Sequence, residues 1–172
     1  MAKRILIVGG VAGGASAAAR LRRLDEQVEI ILFERGQYIS FANCGLPYYI
    51  GQIIKNRDDL LVQTPKRFKA RFNVDVRINC EVMDIDRKRK ELNVKDLSSG
   101  AICAEKYDKL ILSPGAEPAR PPIPGINSPR IFTLRNIPDA DAINKFIEEQ
   151  KPKCAVVVGG GYIGLEMAET LR

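Results

Sequence analysis

An α/β fold is predicted for this sequence: a parallel sheet with an antiparallel β segment, followed by the start of a second domain of the same kind. Three observations predict it. A short apolar run at residues 4–8 ends at glycines, passes into a helical stretch and returns as a second apolar run at 28–33, ending at Glu34. That is a βαβ unit, which makes the two strands parallel. Four runs between Val74 and Tyr107 alternate apolar and polar residues, as half-buried strands do. A second strand–glycine–helix pattern begins at Cys154 and runs to Arg172.

The elements follow in order. Arg4–Val8 is a β-rich strand, Ala15–Leu24 a helix with basic residues on one side, and Val28–Phe33 the second strand. Cys44, with Gly45 and Pro47 after it, is placed at the start of a short helix. Pro65–Phe72 reads as a helix whose proline sits in the tolerated first turn. Strands are expected at Val74–Arg77, Glu81–Arg87, Glu91–Lys95 and Ile102–Tyr107, with Ser98-Ser99-Gly100 as a turn. Lys109–Leu112 is expected as a buried strand. Pro114, Pro118, Pro121, Pro122, Pro124 and Pro129 then exclude helix interior and central strand, leaving an extended crossing segment. Pro138–Gln150 is a helix with Asp139 and Asp141 in its first turn. Residues 154–158 are expected as a strand. The domain reading is 1–112 for a first nucleotide domain, 113–150 for the crossing segment and connecting helix, and 151–172 for an unfinished second domain.

Composition sets limits. With 45% apolar and 28% charged residues the 172-residue chain reads as a soluble globular protein. No run of eighteen apolar residues exists, so no transmembrane helix is expected and no membrane partner. Lys3 and Arg4 before an apolar run superficially copy a signal peptide, but Gly9, Gly10, Gly13 and Gly14 would break its helix. The formal charge of +6 is concentrated at Arg20/Arg22/Arg23, at Lys66/Arg67/Lys69/Arg71 and at Arg87–Lys90. That balance suits phosphorylated small molecules; with 6% aromatics and no reading module, nucleic acid is not the expected partner. The four cysteines lack metal-ligand or CxxC spacing and there is no histidine, so no metal is expected. Cys80, Cys103 and Cys154 are read as small buried hydrophobes, and a cytoplasmic location keeps the thiols reduced.

Two glycine turns carry the chemistry. Gly159-Gly160-Gly161-Tyr162-Ile163-Gly164 follows Val156-Val157-Val158. Gly159 makes the tight turn, Gly161 admits a pyrophosphate to the backbone, and Gly164 lets helix and strand pack closely. The helix N-terminus then faces the phosphates. The first turn, Gly9-Gly10-Val11-Ala12-Gly13-Gly14, is a degraded version with Val11 at the second glycine position. It gains weight from Glu34, twenty residues after Gly14, an acidic group that can accept from both hydroxyls of an adenosine ribose. Two dinucleotide turns in one chain are explained economically by electron transfer from a nicotinamide to a bound flavin. NADH cannot be told from NADPH, because the deciding residue falls beyond Arg172.

In Ser40-Phe41-Ala42-Asn43-Cys44-Gly45-Leu46-Pro47-Tyr48 the cysteine, read at a helix N-terminus, would be favoured as thiolate by the helix dipole and backbone N–H groups. These residues, with Ile7–Ala18, Glu34, Tyr107–Ala116, Thr133–Asn136 and Gly159–Glu169, resemble the pyridine nucleotide-disulfide oxidoreductase family over nearly the whole chain. The likeness is to its single-cysteine branch, which includes coenzyme A-disulfide reductases, NADH oxidases and NADH peroxidases. The resemblance implies Rossmann-like FAD- and NAD(P)-binding domains. It implies an FAD-dependent NAD(P)H:disulfide oxidoreductase of which this chain is the N-terminal part, a homodimer at full length and inactive as the fragment alone. It implies Cys44 as the catalytic residue. Gly9, Val11, Ala12, Gly13, Gly14, Glu34, Arg35, Asn43, Val82, Ser113 and Gly115 would bind FAD. Gly159, Gly161, Tyr162, Ile163, Gly164 and Glu166 would bind the nicotinamide nucleotide. Ser16, Arg20, Arg23, Ser40 and Asn43 would line a coenzyme A site, arginine forks suiting its phosphates. Cys44 has no partner cysteine four residues away, so it cycles through a mixed disulfide or a sulfenic acid. The oxidase and peroxidase relatives carry a histidine where Ala12 stands, which favours a coenzyme A disulfide or persulfide as acceptor. An NADH oxidase or peroxidase, and a non-catalytic nucleotide-binding module, are the alternatives. A family lysine falls on Phe72, with Arg71 beside it.

Overall fold

The computed structural model describes residues 3–172. The chain forms two compact units, one of residues up to 41 with 61–115, the other of 42–60 with 116–172.

The first unit has three layers. Strands β1 (Arg4–Val8), β2 (Glu29–Phe33), β3 (Asp75–Arg77) and β7 (Lys109–Leu112) form a parallel sheet in the order β3-β2-β1-β7. Successive side chains point to opposite faces. Ile5, Ile7, Ile30 and Leu32 therefore face helix α1 (Ala12–Leu24) and helix α3 (Pro65–Phe72), in a core with Ala15, Ala18 and Phe68. Leu6, Ile31 and Phe33 face the other way, against Leu92 and Val94. Those two belong to the antiparallel sheet β4 (Cys80–Asp86), β5 (Glu91–Asp96) and β6 (Ile102–Lys106), which carries a bulge between Val82 and Asp84. Burial on both faces is why β1 and β2 read as continuous apolar runs. The short β7 departs from expectation: it lies at the sheet edge, and Lys109 and Leu112 are exposed rather than buried.

Helix α1 starts at Ala12, three residues earlier than its composition suggests. Glycine is a poor helix former, by about 1 kcal/mol against alanine, yet Gly13 and Gly14 are helical. A Cβ on Gly14 would collide with the Gly9 carbonyl oxygen. The far end of α1 is held by Arg22, whose guanidinium donates to the carbonyls of Glu26 (2.6 Å), Val28 (2.8 Å), Phe72 (2.9 Å) and Asn73 (3.0 Å). It thereby joins the C-terminal ends of α1 and α3. Across the sheet ends, Arg4 pairs with Glu29 (3.1 Å) and Glu105 (2.6 Å), and Arg77 with Asp75 (2.9 Å) and Glu105.

In the second unit, residues 42–60 fold back on themselves. Ala42 N–H donates to the Leu60 carbonyl at 2.8 Å, and a Cβ on Gly45 would lie 2.9 Å from the Leu60 side chain. Helix α2 (Leu46–Ile50) packs against helices α4 (Ile137–Gln150) and α5 (Tyr162–Thr170). Arg57 grips Asp141 of α4 through Nε (2.9 and 3.0 Å) and Nη2 (2.8 Å). Asn136 and Asp139 form a reciprocal capping box at the start of α4. Residues 114–129 form neither helix nor strand, as the prolines require. The expected strand at 154–158 does not form: Val156 and Val158 are 83% and 95% exposed. A strand needs a partner to satisfy its backbone, and among the described residues none pairs with this segment.

Candidate functional site

The two glycine turns repeat one local geometry. Gly9 and Gly159 both adopt positive φ, 93° and 111°, a region open chiefly to glycine. A Cβ on Gly14 would strike the Gly9 carbonyl, and a Cβ on Gly164 the Gly159 carbonyl. The central position differs: Val11 has φ −86° and Gly161 φ −76°, so neither needs glycine for its own backbone. Glycine there serves only to admit something close, and the first turn keeps a half-buried side chain instead.

Both turns open helices without a side-chain cap or an acidic first turn. The other long helices are capped, α3 by Thr64 and α4 by Asn136. The first N–H groups of a helix have no intrahelical partner, so α1 and α5 present free donors where a dinucleotide's phosphates would sit. Glu34 is held in place: its carboxylate accepts from Gly10 N–H and Gly36 N–H, both at 2.7 Å. Ser113 closes the other side, its N–H donating to the Val8 carbonyl at 2.8 Å and its Oγ 3.0 Å from where a Gly13 Cβ would be. The first turn, Glu34 and Ser113 thus converge in one cradle that fits a dinucleotide. Val82 is on β4 and packs on the core, Arg35 pairs with Glu81 at 3.7 Å, and Gly115 adopts φ 72° in the exposed chain beyond β7.

Beside this cradle the first unit has a cavity of about 170 Å³. Ser16, Ser40 and Gln63 supply its polar lining; Ala15, Ala19, Phe68 and Phe72 supply the rest. Ser40 is clamped in a left-handed conformation, φ 43°, by Ser40 N–H to the Gly10 carbonyl (3.0 Å) and Gln63 N–H to the Ser40 carbonyl (3.2 Å). Residues three, four and seven apart share a helix face. Ser16, Ala19, Arg20 and Arg23 are therefore one stripe of α1, and both arginines are exposed. Arg22 is not part of it, being engaged with carbonyls. Gln63 and Phe68 were not singled out from the sequence, and Phe72 only as the position where the family carries a lysine. The phenylalanines are legible in retrospect, four apart on a helix; Gln63 sits in a loop and carries no periodic signal.

Cys44 and Asn43 belong to the second unit. They lie in a 3-10 turn, Asn43–Gly45, ahead of the five-residue α2, so the expected helix start is a single tight turn with little dipole behind it. Both side chains are exposed. Exposure does not separate Cys44 from Cys103 and Cys154, which are also exposed and not buried as expected. Cys103 is on β6, at the edge of its sheet, and Cys154 in the unpaired segment. Cys80 is half-buried; burial, and then the charge of Asp96 opposite it, push its thiol up, away from reactivity. Tyr162 and Ile163 are exposed at the head of α5, and Glu166 is half-buried one turn on. Among the described residues no group of three or more metal-ligating side chains converges, and no helix is long and apolar enough to cross a membrane.

A family model described as pyridine nucleotide-disulphide oxidoreductase matches residues 3–172. The chain is 46% identical over 169 residues to a coenzyme A disulfide reductase of Staphylococcus haemolyticus, covering 98% of this chain and 38% of that protein. The structure of reduced Bacillus anthracis CoADR-RHD superposes with a TM-score of 0.97 at 56% identity, over 99% of this chain and 31% of the other. A NAD-dependent persulfide reductase from A. fulgidus superposes at 0.93 with 37% identity, over 98% and 32%. The chain therefore spans between about a third and two fifths of the proteins it matches.

Proposed function

Because the chain belongs to the pyridine nucleotide-disulphide oxidoreductase family, we propose that it is the N-terminal part of a flavoprotein carrying electrons from NADH or NADPH, through FAD, to a coenzyme A disulfide or persulfide. Cys44 is the thiol that meets the substrate. The observation that carries the substrate class is the α1 stripe: Ser16 and Ala19 line a cavity and the exposed Arg20 and Arg23 extend the same face. An uncharged arm with phosphates at its end suits that sequence of groups. The full-length protein acts in the cytoplasm as a homodimer.

FAD, when bound, supplies the two-electron relay between nicotinamide and sulfur. The chain's own residues hold and aim. Gly9 makes the turn, and Gly13 and Gly14 let α1 pack against Ser113 and the Gly9 carbonyl, so the uncapped start of α1 faces the pyrophosphate, and Glu34 takes the ribose hydroxyls. Gly159 and Gly164 build the same turn for the nicotinamide nucleotide, and Gly161 leaves room for its pyrophosphate. The Cys44 thiolate attacks one sulfur of the disulfide; a Cys44–S bond forms, the substrate S–S bond breaks, and the leaving thiolate takes a proton. Two electrons and a proton then split the mixed disulfide, releasing the second thiol and restoring the Cys44 thiolate. Ser40 and Asn43 orient the substrate sulfur.

The test uses the full-length protein with FAD, titrated anaerobically with NADH and with NADPH, as wild type and as Cys44→Ser. A long-wavelength thiolate-to-flavin band in wild type alone, with disulfide reduction falling at least ~10³-fold in the variant, is the expected result. Flavin bleaching without that band in either protein, and reduction persisting in Cys44→Ser, would remove Cys44 from the chemistry.

A further inference from the structure

The polar lining of the cavity beside α1 contains a group outside the roles assigned so far. Gln63 precedes α3, its backbone is tied to Ser40, and it lines the same space as Ser16 and Ser40. The lining residues include two serines and one glutamine but none with a charged side chain. Its remaining walls are alanine and phenylalanine. Such a space accepts an uncharged ligand segment that alternates methylenes with hydrogen-bonding groups.

An aromatic base is the obvious competitor, and the phenylalanines argue against it. Phe68 and Phe72 contact each other with centroids 4.9 Å apart and planes inclined by 49°. The Arg71 guanidinium lies over the Phe72 ring, 5.2 Å from its centroid. Phe68 is buried, only 2% exposed. No parallel aromatic slot is left to sandwich a base. A carboxamide, by contrast, can either donate to the C=O or accept from the N–H of a secondary amide.

We propose that Gln63 is a specificity-determining residue, selecting thiol substrates whose arm carries secondary amides through its carboxamide in the Ser16–Ser40 cavity. This rests on the reading of the protein as a disulfide reductase and deepens it. Phosphates would lie further along the α1 stripe, at Arg20 and Arg23, and Gln63 would not touch them.

The experiment compares three disulfides in the full-length enzyme: coenzyme A disulfide, pantethine, which keeps the amides but has no nucleotide, and cystamine, which has neither. Gln63→Leu removes the hydrogen-bonding groups; Gln63→Asn keeps them on a shorter arm. For Gln63→Leu, kcat/KM for both amide-bearing disulfides relative to cystamine is expected to fall about five- to tenfold, the value of one hydrogen bond to an uncharged group. The change should fall in KM and not kcat, with partial recovery in Gln63→Asn. A loss confined to coenzyme A disulfide would assign Gln63 to the nucleotide end and overturn the proposal. Equal changes for all three, or none, would overturn it too. A wild-type enzyme that reduces none of them would instead defeat the disulfide-reductase reading, and this inference with it.

Discussion

At the residue scale, the three arginines of α1 separate by what they touch. Arg22 spends its guanidinium on backbone carbonyls that end two helices, while Arg20 and Arg23 stay exposed. Arg22→Ala leaves the part-buried Phe72 and Val28 carbonyls short of a donor, so a loss of about 2 kcal/mol is expected by urea unfolding. Arg20→Ala should stay within about 0.5 kcal/mol. Charge counting alone had grouped all three, although a helical wheel sets Arg22 off the Arg20–Arg23 face. Cys44 stood out because of its neighbours. Burial of Cys103 and Cys154 was misjudged because cysteine's general preference for the interior says nothing about which strand ends up at an edge, or which fails to pair.

At the scale of elements, local chemistry was a good guide wherever it acted alone. Pro65–Phe72 and Lys109–Leu112 fall at the expected bounds, and the capping box at Asn136 explains why α4 starts where it does. Asn136→Ala removes the acceptor for Asp139 N–H and should destabilise α4 by about 1 kcal/mol. Amide hydrogen exchange in the first turn of α4 would show it as faster opening there. Elements that depend on distant partners were less legible. The 154–158 run has every strand preference and forms none, and α1 begins inside its glycines because of a close approach that only the folded turn reveals. The contrast between capped α3 and α4 and uncapped α1 and α5 was open to inspection in Thr64, Asn136, Val11 and Gly161. Its meaning emerges only when the glycine geometry is seen twice.

At the scale of the whole molecule, the antiparallel sheet is fastened to the parallel one through Glu105, whose side chain is 13% exposed. Burial pushes its carboxyl up, but the hydrogen bonds and charges of Arg77 and Arg4 outweigh this and hold it below the usual glutamate range. A depressed carboxylate stabilises the fold above its unfolded pKa, about 4.3, and that contribution is lost as pH falls through the lower, folded value. Urea unfolding between pH 6 and pH 3 should therefore show a steeper acid loss in wild type than in Glu105→Gln, with the difference shrinking below pH 4. The pairing of Arg4, Arg77 and Glu105 was invisible in a sequence where they lie far apart, as was the grouping of residues 42–60 with the C-terminal segments. The edge position of β7 has a consequence of another sort. An exposed edge strand offers peptide groups and Leu112 to any chain that can add alongside. For this chain handled alone, self-association by strand addition would rise with concentration.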